Sequence, residues 1–282
     1  MTTLIALLLA LWPGFQTPAA PVAPPTPEYT IQAIRFGILP KVKITTLMPL
    51  AKDPNETFDI GVMVWLIRGG GKTILFDTGY HRQTPGFDRW NTQDYIRPDE
   101  AVKLAGIQPD DITDIIVSHV HWDHMGGIGL FPKANIWIQK DEYNYYTGAS
   151  WQPGGKRAAD KEDAMELLKR NIEGKVRLID GDDREIFPGI RAYTGARHTY
   201  ASQYIRVEGH PTFVLASDNC YLYRNMEEKS PIATFDITDR AANVAALERM
   251  IKLAGDKDHV VPGHDLLQFK KFPTEGRIAR IK

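Results

Sequence analysis

The stretch from His119 to His124 constrains this chain more than any other, because it places four side chains that can bind a metal within six residues. The apolar run at residues 114–118 has the length of a short buried strand, so these donors would lie at the end of that strand. Histidines two residues apart share a face of an extended backbone. Histidines at a strand end can also be held by ordinary hydrogen bonds, but that would explain only one or two of these residues. A cluster of three histidines and one aspartate is the kind of ligand set that zinc prefers.

Adjacent Asp123 and His124 would diverge unless the chain turns or two metals receive them. We expect Gly126 and Gly127 to provide the conformational freedom for that turn. The cluster therefore predicts a metal site at a strand end, with room for two ions.

The composition limits the partners of this chain. Its 282 residues are enough for one large domain with a sizeable core. The formal net charge of −1 provides no global field toward nucleic acid or an anionic membrane, so we expect a small-molecule substrate. The single cysteine, Cys220, excludes an internal disulfide and a cysteine-rich zinc site, and we expect it to be a small buried residue.

The first 28 residues differ in character from the rest. Residues 4–12 form an apolar block with the length of a signal-peptide core, too short to span a bilayer. The Pro- and Ala-rich residues 18–27 are typical of a linker. We expect a signal peptide and linker over residues 1–28, a domain over residues 29–282, and a secreted or periplasmic protein. No Lys or Arg precedes Arg35, so a cytoplasmic protein with an N-terminal extension is the alternative.

After this segment, strand and helix patterns alternate, which predicts a layered α/β fold. Glycines 69–71 predict a hairpin turn, and Gly255 follows a helix that Thr238 or Asp239 would cap. Strand patterns cover residues 30–36, 61–68, 73–76, 114–118, 135–139, 190–193, 213–217 and 259–261. Helix patterns cover residues 98–105, 141–146, 161–172 and 239–254.

Three later strand patterns also lead to metal donors: His198, Asp218 and His264. Because loops at strand ends converge in layered α/β folds, we expect them to join the first cluster. A catalytic zinc takes about three protein ligands, so seven donors divide into three, three and one bridging carboxylate, which predicts two metals. The seven predicted donors are His119, His121, Asp123, His124, His198, Asp218 and His264.

Three histidines remain outside this set: His81, His210 and His259. We expect structural or surface roles for them, since His259 stands at the start of its strand rather than the end. The metals are expected to be two Zn²⁺ ions, although the residues do not distinguish zinc from manganese, cobalt or iron.

The motif at residues 119–124, the turn at residues 76–79, and the later His198, Asp218 and Gly263-His264-Asp265 together resemble the metallo-β-lactamase superfamily. The resemblance covers about residues 30–275 and implies an αβ/βα sandwich, with two mixed sheets face to face, helices outside and a dinuclear site at one sheet edge. Within the superfamily the chain is most similar to the N-acyl homoserine lactonases, because Tyr221 follows Asp218 by three residues. It departs from the family pattern at residues 195–198 and at Ser202-Gln203.

This resemblance implies hydrolysis of a lactone, with N-acyl homoserine lactones as the expected substrates and a metal-bridging hydroxide as the nucleophile. Asp123 would ligate a metal and carry a proton to the leaving alkoxide, and Tyr221 would donate a hydrogen bond to the carbonyl. Asp77 would orient a ligand histidine. Trp122 would bind the substrate, and Met125 would line an acyl pocket or pack in the core.

Two long segments, residues 81–97 and 147–159, carry aromatic residues and lack clean periodicity. Phe87 and Trp151 would extend the acyl pocket, or these segments would form surface loops or a subunit contact. A homodimer is compatible with the sequence.

Several alternatives to a lactonase stay open. The same scaffold serves phosphotriesterases and thioester or persulfide hydrolases. A metal-dependent oxidoreductase, or a binding module with structural metals, would belong to another class. A true β-lactamase is disfavoured, because Asp218 stands where those enzymes carry a different ligand.

If residues 4–12 form a secretion signal, the mature protein should begin between Ala19 and Pro27, because processing sites follow the apolar core. An intact-mass measurement on protein from the native host tests this. Unprocessed protein that retains Met1 would contradict the secretion hypothesis.

Overall fold

The computed structural model describes residues 26–81, 86–195 and 197–282. The predicted signal-peptide core at residues 4–12 therefore lies outside the described residues. The strands are β1 (Thr30–Lys43), β2 (Thr57–Gly69), β3 (Lys72–Phe76), β4 (Asp114–Ile116), β5 (Asn135–Gln139), β6 (Val176–Ile179), β7 (Arg184–Phe187), β8 (Ile190–Thr194), β9 (Gln203–Val207), β10 (Phe213–Ser217), β11 (Val260–Pro262), β12 (Thr274–Glu275) and β13 (Ile278–Arg280). The helices are α1 (Ile44–Leu47), α2 (Gly86–Arg89), α3 (Pro98–Lys103), α4 (Trp122–Met125), α5 (Lys140–Tyr146), α6 (Lys161–Ile172), α7 (Tyr223–Glu227), α8 (Arg240–Ala254) and α9 (Gln268–Lys271).

Two mixed sheets form the centre of the described structure. The larger has the strand order β12-β13-β1-β2-β3-β4-β5-β6, and the smaller has the order β11-β10-β9-β8-β7. Strands β3 to β6 run parallel to one another. In the smaller sheet β10 and β11 are parallel. Strand β8 runs in the same direction, because β8 and β10 each pair with β9 in the antiparallel sense. The carboxyl ends of these strands therefore meet at common edges.

Three apolar clusters divide the molecule into four layers. One lies between the sheets and includes Trp65 and Leu215. Another packs the larger sheet against helices that include Leu167 of α6. The third packs the smaller sheet against α8, with Val214 beside Met250. This order of helix, sheet, sheet and helix confirms the predicted αβ/βα sandwich.

Strand β1 is twice as long as the predicted strand at residues 30–36, because it continues to Lys43. Gly37 and Pro40 stand at shifts in the pairing with β2, between Arg35 and Gly37 and between Leu39 and Val42, and such bulges accommodate residues that a regular ladder excludes. The glycine turn is confirmed: Gly70 and Gly71 have φ of 56° and 72°, as a tight hairpin requires.

The predicted helices are present, and Asp239 is the N-cap residue of α8, one of the two predicted alternatives. Gly255 ends α8 in the left-handed conformation, as predicted, with φ of 81°. Neither Thr238 nor Asp239 caps α8 with its side chain. Instead a short 3₁₀ turn precedes the helix, and the Asp236 carboxylate accepts a hydrogen bond from the Thr238 amide. Within the described ranges, no helix is long and apolar enough to cross a bilayer.

Several strands were not predicted. Strands β6 and β7 lie at sheet edges and expose charged residues such as Arg177 and Glu185, so they lack the apolar alternation of a buried strand. Strand β9 did carry a signal, because Tyr204, Ile205 and Val207 are aromatic or β-branched and buried.

Candidate metal centre

The predicted donors all follow the carboxyl ends of strands that point toward one edge of the two sheets. β4 ends at Ile116 and leads to the first donors, whereas β8, β10 and β11 of the other sheet lead to His198, Asp218 and His264. The motif changes conformation after His121, which is extended, and α4 begins at Trp122. A helical turn thus directs Asp123 and His124 to a different side from His119 and His121.

The glycines after this turn are needed for space rather than for conformation, which corrects the prediction. Gly126 has ordinary right-handed backbone angles. A Cβ on Gly126 would lie 2.4 Å from the Trp122 carbonyl oxygen, and one on Gly127 would lie 2.2 Å from the carbonyl oxygen of Thr78. Thr78 also holds the motif, because its amide and its hydroxyl both donate to the His124 carbonyl oxygen. The loop after β3 therefore presses directly against the motif.

The structure brings all seven predicted donors together in two adjacent groups. The ligand atoms within each group lie within 4.8 Å of one another. The four-donor group is His119, His121, His198 and Asp218, and the three-donor group is Asp123, His124 and His264. His81, His210 and His259 belong to neither group. The His259 ring instead contacts Phe213, at the start of β10 and opposite the strand end that carries Asp218.

Asp218 faces both groups at once. Its Oδ2 lies 3.6 Å from His119 Nε2 and 3.4 Å from His198 Nε2. Its Oδ1 lies 3.1 Å from His124 Nε2 and 2.9 Å from His264 Nε2. This Oδ1 is buried and is not well oriented for a hydrogen bond with any described residue. A carboxylate in this position could bind two cations at once.

Hydrogen bonds on the outer side of the rings set which nitrogen faces inward. His124 Nδ1 lies 2.8 Å from Asp77 Oδ2, His264 Nδ1 lies 2.8 Å from the Gly61 carbonyl oxygen, and His198 Nδ1 lies 2.7 Å from the Ala233 carbonyl oxygen. Each of these oxygens accepts a hydrogen bond from the ring Nδ1–H, so each Nε2 faces the centre and can present a lone pair to a cation.

Inward-facing nitrogens also approach one another closely. His121 Nδ1 lies 2.9 Å from both His119 Nε2 and His198 Nε2. Burial lowers the pKa of His119 and His121 well below the usual histidine value, which favours the neutral form that binds metals. At His124 and His264 the effect of burial is outweighed by the Asp218 carboxylate, which raises the pKa, so a positive charge is favoured in the three-donor group. Nitrogens and carboxylates at these distances fit two divalent cations.

Asp77 lies beneath this centre, where the sequence placed it. It follows β3 with φ of 63°, and besides His124 it accepts hydrogen bonds from the Ser118 amide at 2.7 Å, the Ser118 hydroxyl at 2.8 Å and the Ser217 hydroxyl at 2.9 Å. One carboxylate thus connects the loops after β3, β4 and β10. Sequence reasoning missed Ser118 and Ser217, although each directly precedes a predicted donor.

Ser202 has a similar connecting role. Its hydroxyl accepts a hydrogen bond from the His198 amide at 3.1 Å and donates one to Asn219 Oδ1 at 3.0 Å. The departure from the family pattern at Ser202 therefore joins the His198 loop to the Asp218 loop. Arg197, the other departure, lies over the rings of Tyr200 and Phe235.

Glu142 on α5 is a further buried residue that the sequence did not indicate. Its carboxylate accepts hydrogen bonds from the Val120 amide at 3.1 Å, the Thr199 hydroxyl at 2.5 Å and the Ala201 amide at 2.6 Å. Burial raises the pKa of Glu142 to about 7, and these three donors partly offset that effect. Because Val120 lies between two donors and Thr199 follows another, Glu142 fixes two donor loops relative to each other.

A cavity of about 330 Å³ opens above the donors. Tyr221 and Trp122 line it, and the Tyr221 hydroxyl lies 3.4 Å from His198 Nε2. Burial raises the pKa of Tyr221 well above its usual value, so its phenol stays protonated. Apolar residues from β1, α1 and β2 form much of the remaining wall: Leu39, Val42, Leu47 and Ile60.

The predicted pocket aromatics differ from those observed. Trp151 was assigned wrongly, because it lines a separate cavity against α6 and its indole donates to the Tyr146 carbonyl oxygen. Trp90 lines the cavity above the donors instead. The side chain of Phe87 lies outside the described residues, and Met125 is fully buried in the core. Cys220 is buried too, as expected.

Replacing Glu142 with Gln should weaken metal binding by about 10- to 100-fold, the usual effect of losing a residue that orients ligands. The NH₂ group of the new amide would face hydrogen-bond donors instead of accepting from them. The contacts that connect the motif to the His198 loop would then be lost. Metal affinity measured by competition with a chelator tests this. Glu173→Gln, on an exposed residue just after α6, is the matched control. Equal affinities in the two variants would contradict this positioning role.

Comparisons with known proteins agree with this geometry. Residues 58–264 match the family model described as the metallo-beta-lactamase superfamily. A curated N-acyl homoserine lactonase from Bacillus cereus is 30% identical over 232 residues, which is 77% of this chain and 86% of the relative. One from Bacillus thuringiensis is 27% identical over 235 residues, which is 78% of this chain and 87% of the relative.

Solved structures show the same fold. A quorum-quenching N-acyl homoserine lactone lactonase aligns with a TM-score of 0.71 and 24% identity, covering 87% of this chain and 95% of the other. The hydrolase AbOPH aligns with a TM-score of 0.62 and 18% identity, covering 84% and 87%. With most of its length matched by the family model, the chain belongs to the metallo-β-lactamase superfamily and is a hydrolase of that superfamily.

Proposed function

We propose that this protein hydrolyses the ring ester of lactones and that N-acyl homoserine lactones are substrates. The observation that carries this proposal is the Tyr221 hydroxyl, which points at the donor groups from the wall of an apolar cavity. The curated relatives named N-acyl homoserine lactonase support the choice of substrate. Among solved neighbours, one lactonase structure holds the product N-hexanoyl-L-homoserine at its catalytic metal centre.

We propose that the seven donors hold two zinc ions, with Asp218 between them. The buried Asp218 Oδ1, which lies 3.1 Å from His124 Nε2 and 2.9 Å from His264 Nε2, and the converging ring nitrogens support this assignment. When bound there, two cations would lower the pKa of a bound water and polarise the substrate carbonyl.

The protein's own residues would do the rest. Tyr221 is a protonated phenol and donates a hydrogen bond to the carbonyl oxygen as that atom gains negative charge. Asp123 is a carboxylate of the donor groups that also lines the cavity, and we assign it the role of taking the proton of the attacking water. A bond forms between the water oxygen and the carbonyl carbon, the ring C–O bond breaks, and Asp123 returns the proton to the departing alkoxide. The product is the open hydroxy acid.

The cavity explains why an acyl-substituted ring suits this site. A lactone ring alone buries little surface, whereas each buried methylene adds about 0.8 kcal/mol. Leu39, Val42 and Leu47 form an apolar wall beside the donors. An alkyl arm would lie against this wall while the ring carbonyl faces Tyr221.

Purified protein should contain about two metals per chain and should release acid from N-acyl homoserine lactones. Elemental analysis and a pH-indicator assay across several acyl lengths test both. Faster turnover of phosphotriesters or thioesters than of lactones would contradict the substrate proposal. One metal per chain would contradict the bridging role of Asp218.

Tyr221→Phe should lower kcat by about ten- to a thousand-fold, the range seen when one oxyanion donor is lost. Only the hydroxyl is removed, so metal content and Tm should change little. Tyr223→Phe is the matched control, because the buried Tyr223 hydroxyl has no hydrogen-bond partner among the described residues. An unchanged kcat with a lower Tm in Tyr221→Phe would show a structural tyrosine instead.

A further inference from the structure

Two arginines at the cavity above the donors are not explained by ring hydrolysis. Arg89 at the end of α2 and Arg157, six residues after Trp151, both line this cavity, and both are exposed. Neither guanidinium forms an ion pair with a carboxylate in the described part of the chain. We call these two residues the rim arginines.

Nine arginines of the described residues form ion pairs with carboxylates, whereas Arg68, Arg177, Arg184 and Arg240, like the rim arginines, form none. Arg224 lies 2.7 Å from Glu56, Arg249 lies 2.9 Å from Asp182, and Arg191 lies 2.8 Å from Asp183. An acidic residue beside a surface arginine is therefore common in this protein. The rim arginines keep their positive charge free for a ligand.

Aromatic rings hold both rim arginines in place. The guanidinium carbon of Arg89 lies 5.6 Å from the centre of the Trp90 ring, and that of Arg157 lies 5.4 Å from the centre of the Trp151 ring. Stacking on tryptophan restricts a long side chain without neutralising its charge. This contact also gives Trp151 a role that its position outside the cavity does not suggest.

The charges around the cavity have one sign once the metal donors are set aside. Among the described residues that line it, the only carboxylates are those of Asp123 and Asp218, and both belong to the donor groups. The wall between the donors and the rim arginines is apolar, with Leu47 and Trp90 among its residues. A cationic rim next to a low-dielectric wall attracts anions and disfavours cations.

We propose that the rim arginines bind a carboxylate on the arm of the substrate, so that the preferred substrates are lactones whose acyl arm ends in an acidic group. The planar guanidinium matches a carboxylate with two parallel hydrogen bonds. The arm would cross the apolar wall while the ring reacts at the donors. This inference rests on the proposed lactonase function and narrows its substrate class.

The test uses two lactones that differ only at the end of the arm: one bears a carboxylate and the other a carboxamide of nearly the same shape. The metal-loaded enzyme should have a kcat/KM about five- to tenfold higher for the carboxylate, the scale of a partly exposed charged contact. This preference should shrink at high ionic strength, because salt screens exposed charges. Arg157→Met and Arg89→Met should each reduce the ratio of the two kcat/KM values.

Arg68→Met is the matched control. Arg68 is also exposed, but it lies on β2 at the end opposite to Ile60, which lines the cavity. This variant should keep the wild-type ratio. Non-hydrolysable lactams with the same two arms provide a second measurement, since calorimetric titration should show tighter binding of the carboxylate form.

Each outcome separates this inference from the proposed function. Turnover of both lactones at equal kcat/KM would overturn the role of the rim arginines and leave the lactonase function standing. Turnover of neither lactone would overturn the inference alone if N-acyl homoserine lactones with plain alkyl arms are hydrolysed, and the lactonase function as well if they are not. A preference that survives both arginine substitutions would place anion recognition elsewhere and would also contradict the inference.

Discussion

Mutual approach of seven nitrogen and oxygen donors is the constraint on which the rest of this structure depends. His121 Nδ1 lies 2.9 Å from two other ring nitrogens, and Asp218 directs an oxygen at each donor group. Ring nitrogens that all present lone pairs at such distances repel one another unless a cation lies between them. We therefore expect metal binding and the folding of these loops to be coupled.

Two buried carboxylates on the outer side of the donors hold the donor loops together by hydrogen bonds. Asp77 connects the loops after β3, β4 and β10, and Glu142 connects the motif to the His198 loop. Both accept backbone or hydroxyl hydrogen bonds from residues next to donors, so they position the ligands without facing the substrate. Precise ligand geometry depends on such supporting contacts as much as on the ligands themselves.

Large parts of this arrangement could be predicted from the residues. Strand-end positions were sufficient to assemble His198, Asp218 and His264 with the motif, because parallel strands bring their carboxyl ends to one edge. Asp77 was also recognised from its place after β3. Glu142 was not recognised. A glutamate on a short helix is usually a solvated surface residue, and no local pattern marks one that is buried and connects two loops by hydrogen bonds.

The sequence by itself determined the donor set, the glycine hairpin and the alternation of strands and helices, because these depend on residue type and short-range spacing. Only the tertiary structure decided which aromatic residues face the cavity. Trp151 and Trp90 lie in similar loops, and their orientation follows from packing against distant elements rather than from neighbours in the chain. The same holds for the charge of the rim, because whether an arginine has an acidic partner depends on contacts between segments far apart in sequence.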